Sequence, residues 1–142
     1  MENEMKNLTV ALCTDERGGM IFNNRRVSRD RILIDELVSG VDGKVYIGEY
    51  SALLFEAHKD RVAVVGNVLA DAPAGAVCFV EVPPFMPHVG DISRLIIYNW
   101  NRRYPFDKQL DISPLKMGFR LVSVTEFEGS SHEKITKEIY ER

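Results

Sequence analysis

The sequence predicts an α/β domain on a mixed, mostly parallel sheet, with helices on its faces and an antiparallel hairpin at its C-terminal edge. Three observations carry this. The early strand-like runs are short and almost wholly apolar, as in Leu8-Thr9-Val10-Ala11-Leu12-Cys13 and Val77-Cys78-Phe79-Val80, the pattern of strands covered on both faces. Helical or loop stretches separate them, as parallel crossovers require. The last two runs flank Gly129-Ser130-Ser131, a turn signal that folds a hairpin.

Taken in order, residues 8–13 form a buried strand. Residues 14–27, with Gly18-Gly19 and Asn23-Asn24, read as a long loop, the kind of segment that carries function in a compact domain. Ser28 is the expected N-cap of a helix over 28–39, in which Ile32, Leu33, Leu37 and Val38 recur at helical spacing and Gly40 ends the run. Residues 44–48 read as a strand, 51–57 as a short helix and 61–65 as a strand. Residues 66–76 form a loop or a single turn. The strand at 77–80 is stopped by Pro83, Pro84 and Pro87, which leave room for one helical turn before Gly90. Residues 94–100 form a long strand. The apolar positions of 119–127, and Ile135 with Ile139, supply the two strands of the closing hairpin.

Composition narrows the class. The chain has 142 residues, 45% hydrophobic and 27% charged, which excludes a disordered or coiled-coil protein and fits one domain spanning 1–142. The net charge of −3 disfavours a chain-wide nucleic-acid field, though not a local basic patch. No apolar run approaches membrane-spanning length. Cys13 and Cys78 sit inside apolar runs and read as reduced core thiols. With a polar stretch at residues 1–7, these features predict a cytoplasmic protein.

The order of elements resembles the dihydrofolate reductase family. A first strand runs into a long loop, here 8–27; a helix follows, here 28–39; then a strand ends in a glycine, Val45-Tyr46-Ile47-Gly48. The chain closes through Leu95-Ile96-Ile97-Tyr98, Asp107, residues 121–127 and Glu138-Ile139-Tyr140-Glu141-Arg142, the most specific match. The resemblance implies that fold, a catalytic acid on the first helix, for which Asp30 is the candidate, and NADPH as cofactor. Departures stand at the cofactor positions. Where the family has a Gly-Gly pair opening a helix, this chain reads Val80-Glu81-Val82-Pro83-Pro84. Where it has a basic residue after the strand glycine, Glu49 follows Gly48. Prolines supply no N–H donors and carboxylates repel phosphate, so Glu49, Glu81, Pro83 and Pro84 disfavour NADPH.

Two clusters are candidates for ligand binding. Five arginines fall between positions 17 and 31 around Gly18-Gly19. Guanidinium forks suit phosphate or carboxylate and glycines let the backbone approach a ligand. Gly18, Gly19, Arg25, Arg26 and Arg29 therefore form a candidate anion loop; the alternative is a solvated turn whose arginines pair with Asp15, Glu16 or Asp35. Asp30 has its own alternative, compensation of the helix dipole. The second cluster, Tyr98, Trp100, Arg102 and Arg103 with Tyr104, offers aromatic faces for a base and guanidinium groups for phosphate; its alternative is a packed strand end. His58, His88 and His132 show no ligand spacing, which argues against any metal site or metal hydrolase, and His132 reads as polar turn surface. Three functions follow in order. The first is a protein that binds a small anionic, nucleotide- or pterin-like ligand without obligatory reductase chemistry. The second is an NADP-dependent reductase of a non-folate heterocycle. The third is a non-catalytic RNA- or protein-binding module.

Overall fold

A computed structural model describes residues 5–142; of the polar stretch 1–7, the first four residues lie outside it. Seven strands form the central sheet in the order β5-β4-β6-β1-β7-β10-β9. In chain order these are β1 (Leu8–Thr14), β4 (Val45–Gly48), β5 (Val62–Val65), β6 (Val77–Phe79), β7 (Ile92–Asn99), β9 (Arg120–Phe127) and β10 (Ile135–Glu141). The strands from β5 to β7 pair in parallel. The C-terminal hairpin adds β10 antiparallel to β7, and β9 antiparallel to β10. The mixed, mostly parallel sheet expected from the apolar runs is present, with its hairpin on one edge.

Side-chain alternation along β1 splits the core into two layers. Leu8, Val10 and Leu12 face one side, with Cys78, Leu95, Phe85 and Phe119. Ala11 faces the other, with Phe79, Ile96 and Tyr98. This second layer is roofed by helix α1 (Arg31–Ser39), which buries Leu33, Ile34, Leu37 and Val38, and by a kinked 3-10 segment at Glu49–Arg61 that supplies Phe55. The segment replaces the short regular helix expected at 51–57, because non-helical backbone at Phe55 and His58 interrupts it. A four-residue helix, α2 (Val68–Asp71), closes the turn after β5.

Two expectations need correction. Helix α1 begins at Arg31 and its cap is Asp30, not Ser28; the Asp30 carboxylate takes the backbone N–H groups of Ile32 and Leu33, and the Ser28 hydroxyl is bonded elsewhere. The expected loop at 14–27 is ordered into β2 (Gly19–Phe22) and β3 (Arg25–Arg26), joined through Asn23 and Asn24, both at positive φ. Two left-handed residues in a two-residue connection match the twist of a hairpin, and asparagine tolerates them best after glycine. A short strand, β8 (Lys108–Gln109), completes this small second sheet. No helix among the described residues is long and apolar enough to cross a membrane.

Candidate functional site

The carboxyl ends of β1 and β7 converge with the start of α1 and the turn between β9 and β10. There Asp30 is the hub. Its side chain is buried, and its two oxygens accept from Ser130 N (2.9 Å), Ser131 N (2.8 Å), the Ser130 hydroxyl (3.2 Å) and His132 Nδ1 (2.9 Å), besides capping α1. Gly129 makes the wrap possible, because a Cβ there would strike the Asp30 carboxylate. Burial by itself would raise the Asp30 pKa; hydrogen bonds from His132 and from the backbone of Ser130, Ser131 and Leu33 outweigh it and hold the group at about 2. An acid so held is ionised at neutral pH and makes a poor proton donor.

His132 is equally far from the exposed turn residue expected of it. Its side chain is buried and stacks on Trp100 with ring centroids 4.4 Å apart. With Asp30 ionised, Nδ1 is the ring nitrogen that donates to it, which turns Nε2 toward two hydroxyls. Nε2 lies 2.9 Å from Ser28 Oγ and 3.1 Å from the Tyr104 hydroxyl, and these two hydroxyls are 3.3 Å apart. Ser28, Asp30, Trp100 and Arg29 all border a small inner cavity with room for about one water.

The arginines divide into engaged and free. Arg26 is engaged: its guanidinium grips Glu81 through Nε (2.6 Å) and Nη2 (3.0 Å), donates to the Tyr50 carbonyl (2.9 Å) and lies over the Tyr50 ring. Ser51 donates to the same carboxylate. The Arg26–Glu81 pair thereby stands between the inner cavity and a cleft of about 450 Å³ across the ends of β4, β5 and β6. Arg103 pairs with Glu16, and Arg102 faces a separate depression beside Asn101. Arg25 lies in a groove of about 500 Å³ between Phe22 and Tyr104. Arg29 and Arg31 are exposed, with no carboxylate partner among the described residues. They rim a groove of about 280 Å³ over Ile34, Leu53 and Leu54, which adjoins the inner cavity at Arg29, Ile34 and Leu54.

The other sequence candidates lie apart. Gly18, at φ +84, and Gly19 shape the turn into β2, which Asp15 ties down by accepting from the N–H groups of Arg17, Gly19 and Tyr104. Gly19 is in contact range of the Phe106 ring, which any larger side chain would displace. Neither glycine lines the inner cavity or the grooves described above. Tyr98 is fully buried and donates to Glu36 (2.6 Å); burial, then the Glu36 carboxylate, pushes its pKa far up. It belongs to the core, because β7 alternation turns it under α1. Trp100, two residues on, is the one aromatic of that cluster lining the cavity, and its ring packs on His132. The residues that the sequence alone did not point to are thus His132, Ser28 as more than a helix cap, and the Ser130-Ser131 pair. Their signal was Gly129-Ser130-Ser131 read as a cradle of N–H groups for an anion, about a hundred residues from the acid it holds.

This topology, with a ligand-sized crevice at the carboxyl ends of parallel strands, has a close structural counterpart. A dihydrofolate reductase from Enterococcus faecalis, solved in complex with NADP(H) and RAB-propyl, matches with a TM-score of 0.63 over 97% of each chain, at 12% sequence identity. The chain has the dihydrofolate reductase fold. No family model matches it, and no curated protein matches it. Within the fold, the cleft over β4–β6 carries acidic side chains on its wall. Glu49 and Glu81 line it. At the α2 start, Asn67 N is already given to Asp71 (2.8 Å) and Ala70 N to the Asn67 side chain (3.4 Å). After β6 the chain runs through Pro83 and Pro84 into a 3-10 segment, Met86–Asp91, whose first turn includes Pro87. A group of three or more side chains able to hold a metal ion is absent among the described residues.

Proposed function

We propose that this protein binds a small anionic ligand, a flat nucleotide- or pterin-like ring with an acidic tail, and that it does so without NADPH-dependent folate reduction. The observation that carries this reading is the continuity of the inner cavity with the groove rimmed by Arg29 and Arg31. The inner cavity, walled by Trp100 and Phe79, has room for about one water and lies at the inner end of the groove. The groove supplies apolar surface in Ile34, Leu53 and Leu54, then two guanidinium groups for a phosphate or carboxylate. Of the arginines expected in the site, Arg29 keeps its part and Arg31 joins it. Arg26 serves as the partition, and its charge is already matched by Glu81.

The residues at the cofactor side of the fold do not fit a pyrophosphate. Acids line the cleft, and at the α2 start the N–H groups of Asn67 and Ala70 are spent within the chain.

Titration calorimetry with folates, flavins and nucleotides tests the reading. At least one phosphate- or carboxylate-bearing compound is expected to bind, and Arg29→Ala with Arg31→Ala to weaken it by about tenfold or more, about 1.4 kcal/mol, with the melting temperature unchanged. Unchanged affinity in the double variant, or no binding by any compound, overturns it.

A further inference from the structure

Ser28, His132 and Asp30 form an unbroken chain of hydrogen bonds in the order nucleophile, base, orienting acid. We propose that Ser28 is an activated nucleophile and that the protein transfers or hydrolyses the acyl group of small esters. The geometry is that of nucleophilic catalysis by a serine: Ser28 Oγ to His132 Nε2 is 2.9 Å, and His132 Nδ1 to Asp30 Oδ2 is 2.9 Å. Each member is held by contacts the others do not provide. Asp30 is fixed by the backbone of Ser130 and Ser131. The imidazole is clamped between Asp30 and the face of Trp100. Ser28 sits two residues before the helix cap, half-buried, on the wall of the inner cavity.

The constellation is recognised by geometry and roles rather than by chain order. A core network whose task is only to join α1 to the hairpin is complete with Asp30, Ser130 and Ser131. It has no need of a half-exposed hydroxyl on the far nitrogen of the histidine. Tyr104, with its hydroxyl 3.3 Å from Ser28 Oγ, is the donor placed to steady a developing oxyanion. It also forms part of the wall of an open groove of about 500 Å³, which meets the Ser28-lined inner cavity at Arg26 and Val27 and is the route for an ester.

The step balances with water as the co-substrate. Ser28 Oγ bonds to the carbonyl carbon as its proton passes to His132 Nε2. The tetrahedral adduct collapses with cleavage of the carbon–oxygen bond to the leaving alcohol, which takes that proton. Water then adds to the acyl-serine with His132 again as base, releasing the acid and regenerating the hydroxyl.

An uncharged alkyl fluorophosphonate tests this on the full chain without involving Arg29 or Arg31, so its outcome is independent of the anionic-ligand reading. Peptide mapping by mass spectrometry is expected to place the phosphonyl group on Ser28 in the folded wild-type protein, with Ser51 and Ser131 unmodified and a heat-unfolded sample unlabelled. Hydrolysis of p-nitrophenyl acetate is expected to fall to background in Ser28→Ala, a variant that leaves every bond to Asp30 in place. An unlabelled Ser28 in the folded protein overturns the proposal. So does a folded Ser28→Ala variant that turns the ester over as fast as wild type.

Discussion

The two flanks of the sheet's carboxyl edge are built on opposite lines. On the α1 side, one carboxylate, Asp30, is surrounded by donors from the helix, the hairpin turn and a histidine, so that a buried charge is fully matched. On the β4–β6 side, Glu81 is held by Arg26 and Ser51, while Glu49 and Asp71 leave the open cleft acidic. The first flank encloses its charge in donors, whereas the second presents carboxylate to an open cleft. Removing the hub of the first flank is the severest way to probe the contrast. Asp30→Ala strands His132 and the Ser130 and Ser131 N–H groups in the interior. Loss of one partner of a buried pair costs about 3–5 kcal/mol, and urea unfolding is expected to show a loss of that size. Asp30→Asn keeps the cap and one acceptor and is expected to lose less. Equal, small losses in both variants would mean that the flank is not organised around this charge.

Acid probes the same flank without mutation. The folded pKa of Asp30 is depressed to about 2 from the ordinary 3.8. Its contribution is therefore complete above pH ~4 and is lost as pH falls from there toward 2. Linkage over that interval amounts to roughly 2 kcal/mol. Stability measured from pH 5 to pH 2 is expected to fall more steeply in wild type than in Asp30→Asn. Parallel curves would show that Asp30 titrates alike folded and unfolded.

The partition between the flanks is expected to matter less. Arg26 and Glu81 make a two-pronged, mostly buried pair. A double-mutant cycle of Arg26→Ala and Glu81→Ala is expected to give a coupling of about 1–3 kcal/mol. Arg25→Ala, at an exposed position, is expected to move stability by no more than about 0.5 kcal/mol. Arg25 and Arg26 border the same groove beside Phe22, but of the two only Arg26 is matched by a carboxylate among the described residues. A coupling near zero would return Arg26 to the pool of free cations.

What could be read from the sequence follows from how far apart the interacting residues lie. The parallel core was legible because Val10, Ala11, Cys78 and Phe79 carry their burial in local runs. The β2–β3 hairpin was half legible: Asn23-Asn24 is a turn signal, but strands as short as Arg25–Arg26 carry no period to recognise. Asp30 was found through its place in the first helix and the family resemblance, yet its state was not, since most of the donors that depress its pKa come from residues 130–132. His132 was misread for the same reason. A histidine in a turn looks solvated until the fold brings Trp100 and Asp30 around it. Arg26 and Glu81, likewise, reveal their pairing only when the first hairpin folds back over the end of β6.

The smallest effect is the one expected from NADPH, and it sharpens the contrast most. Ligand that binds only the native state raises stability by RT ln(1 + [L]/Kd), about 2.7 kcal/mol when the ligand is at a hundred times Kd. A micromolar site would therefore produce a large thermal shift at about 1 mM NADPH. The cleft over β4–β6 opposes such a site in two separable ways. Glu49 and Asp71 repel the pyrophosphate electrostatically, an effect that weakens in salt. Pro83 and Pro84 withhold backbone donors regardless of salt. No shift is expected for wild type at low or high ionic strength. Glu49→Lys removes part of the repulsion without restoring donors, so it too is expected to show no saturable binding. Micromolar binding by wild type would place the cofactor in a cleft whose charge is wrong for it and would overturn the division between the flanks. Binding gained by Glu49→Lys alone would show that charge, and not the missing donors, is what closes this cleft to phosphates.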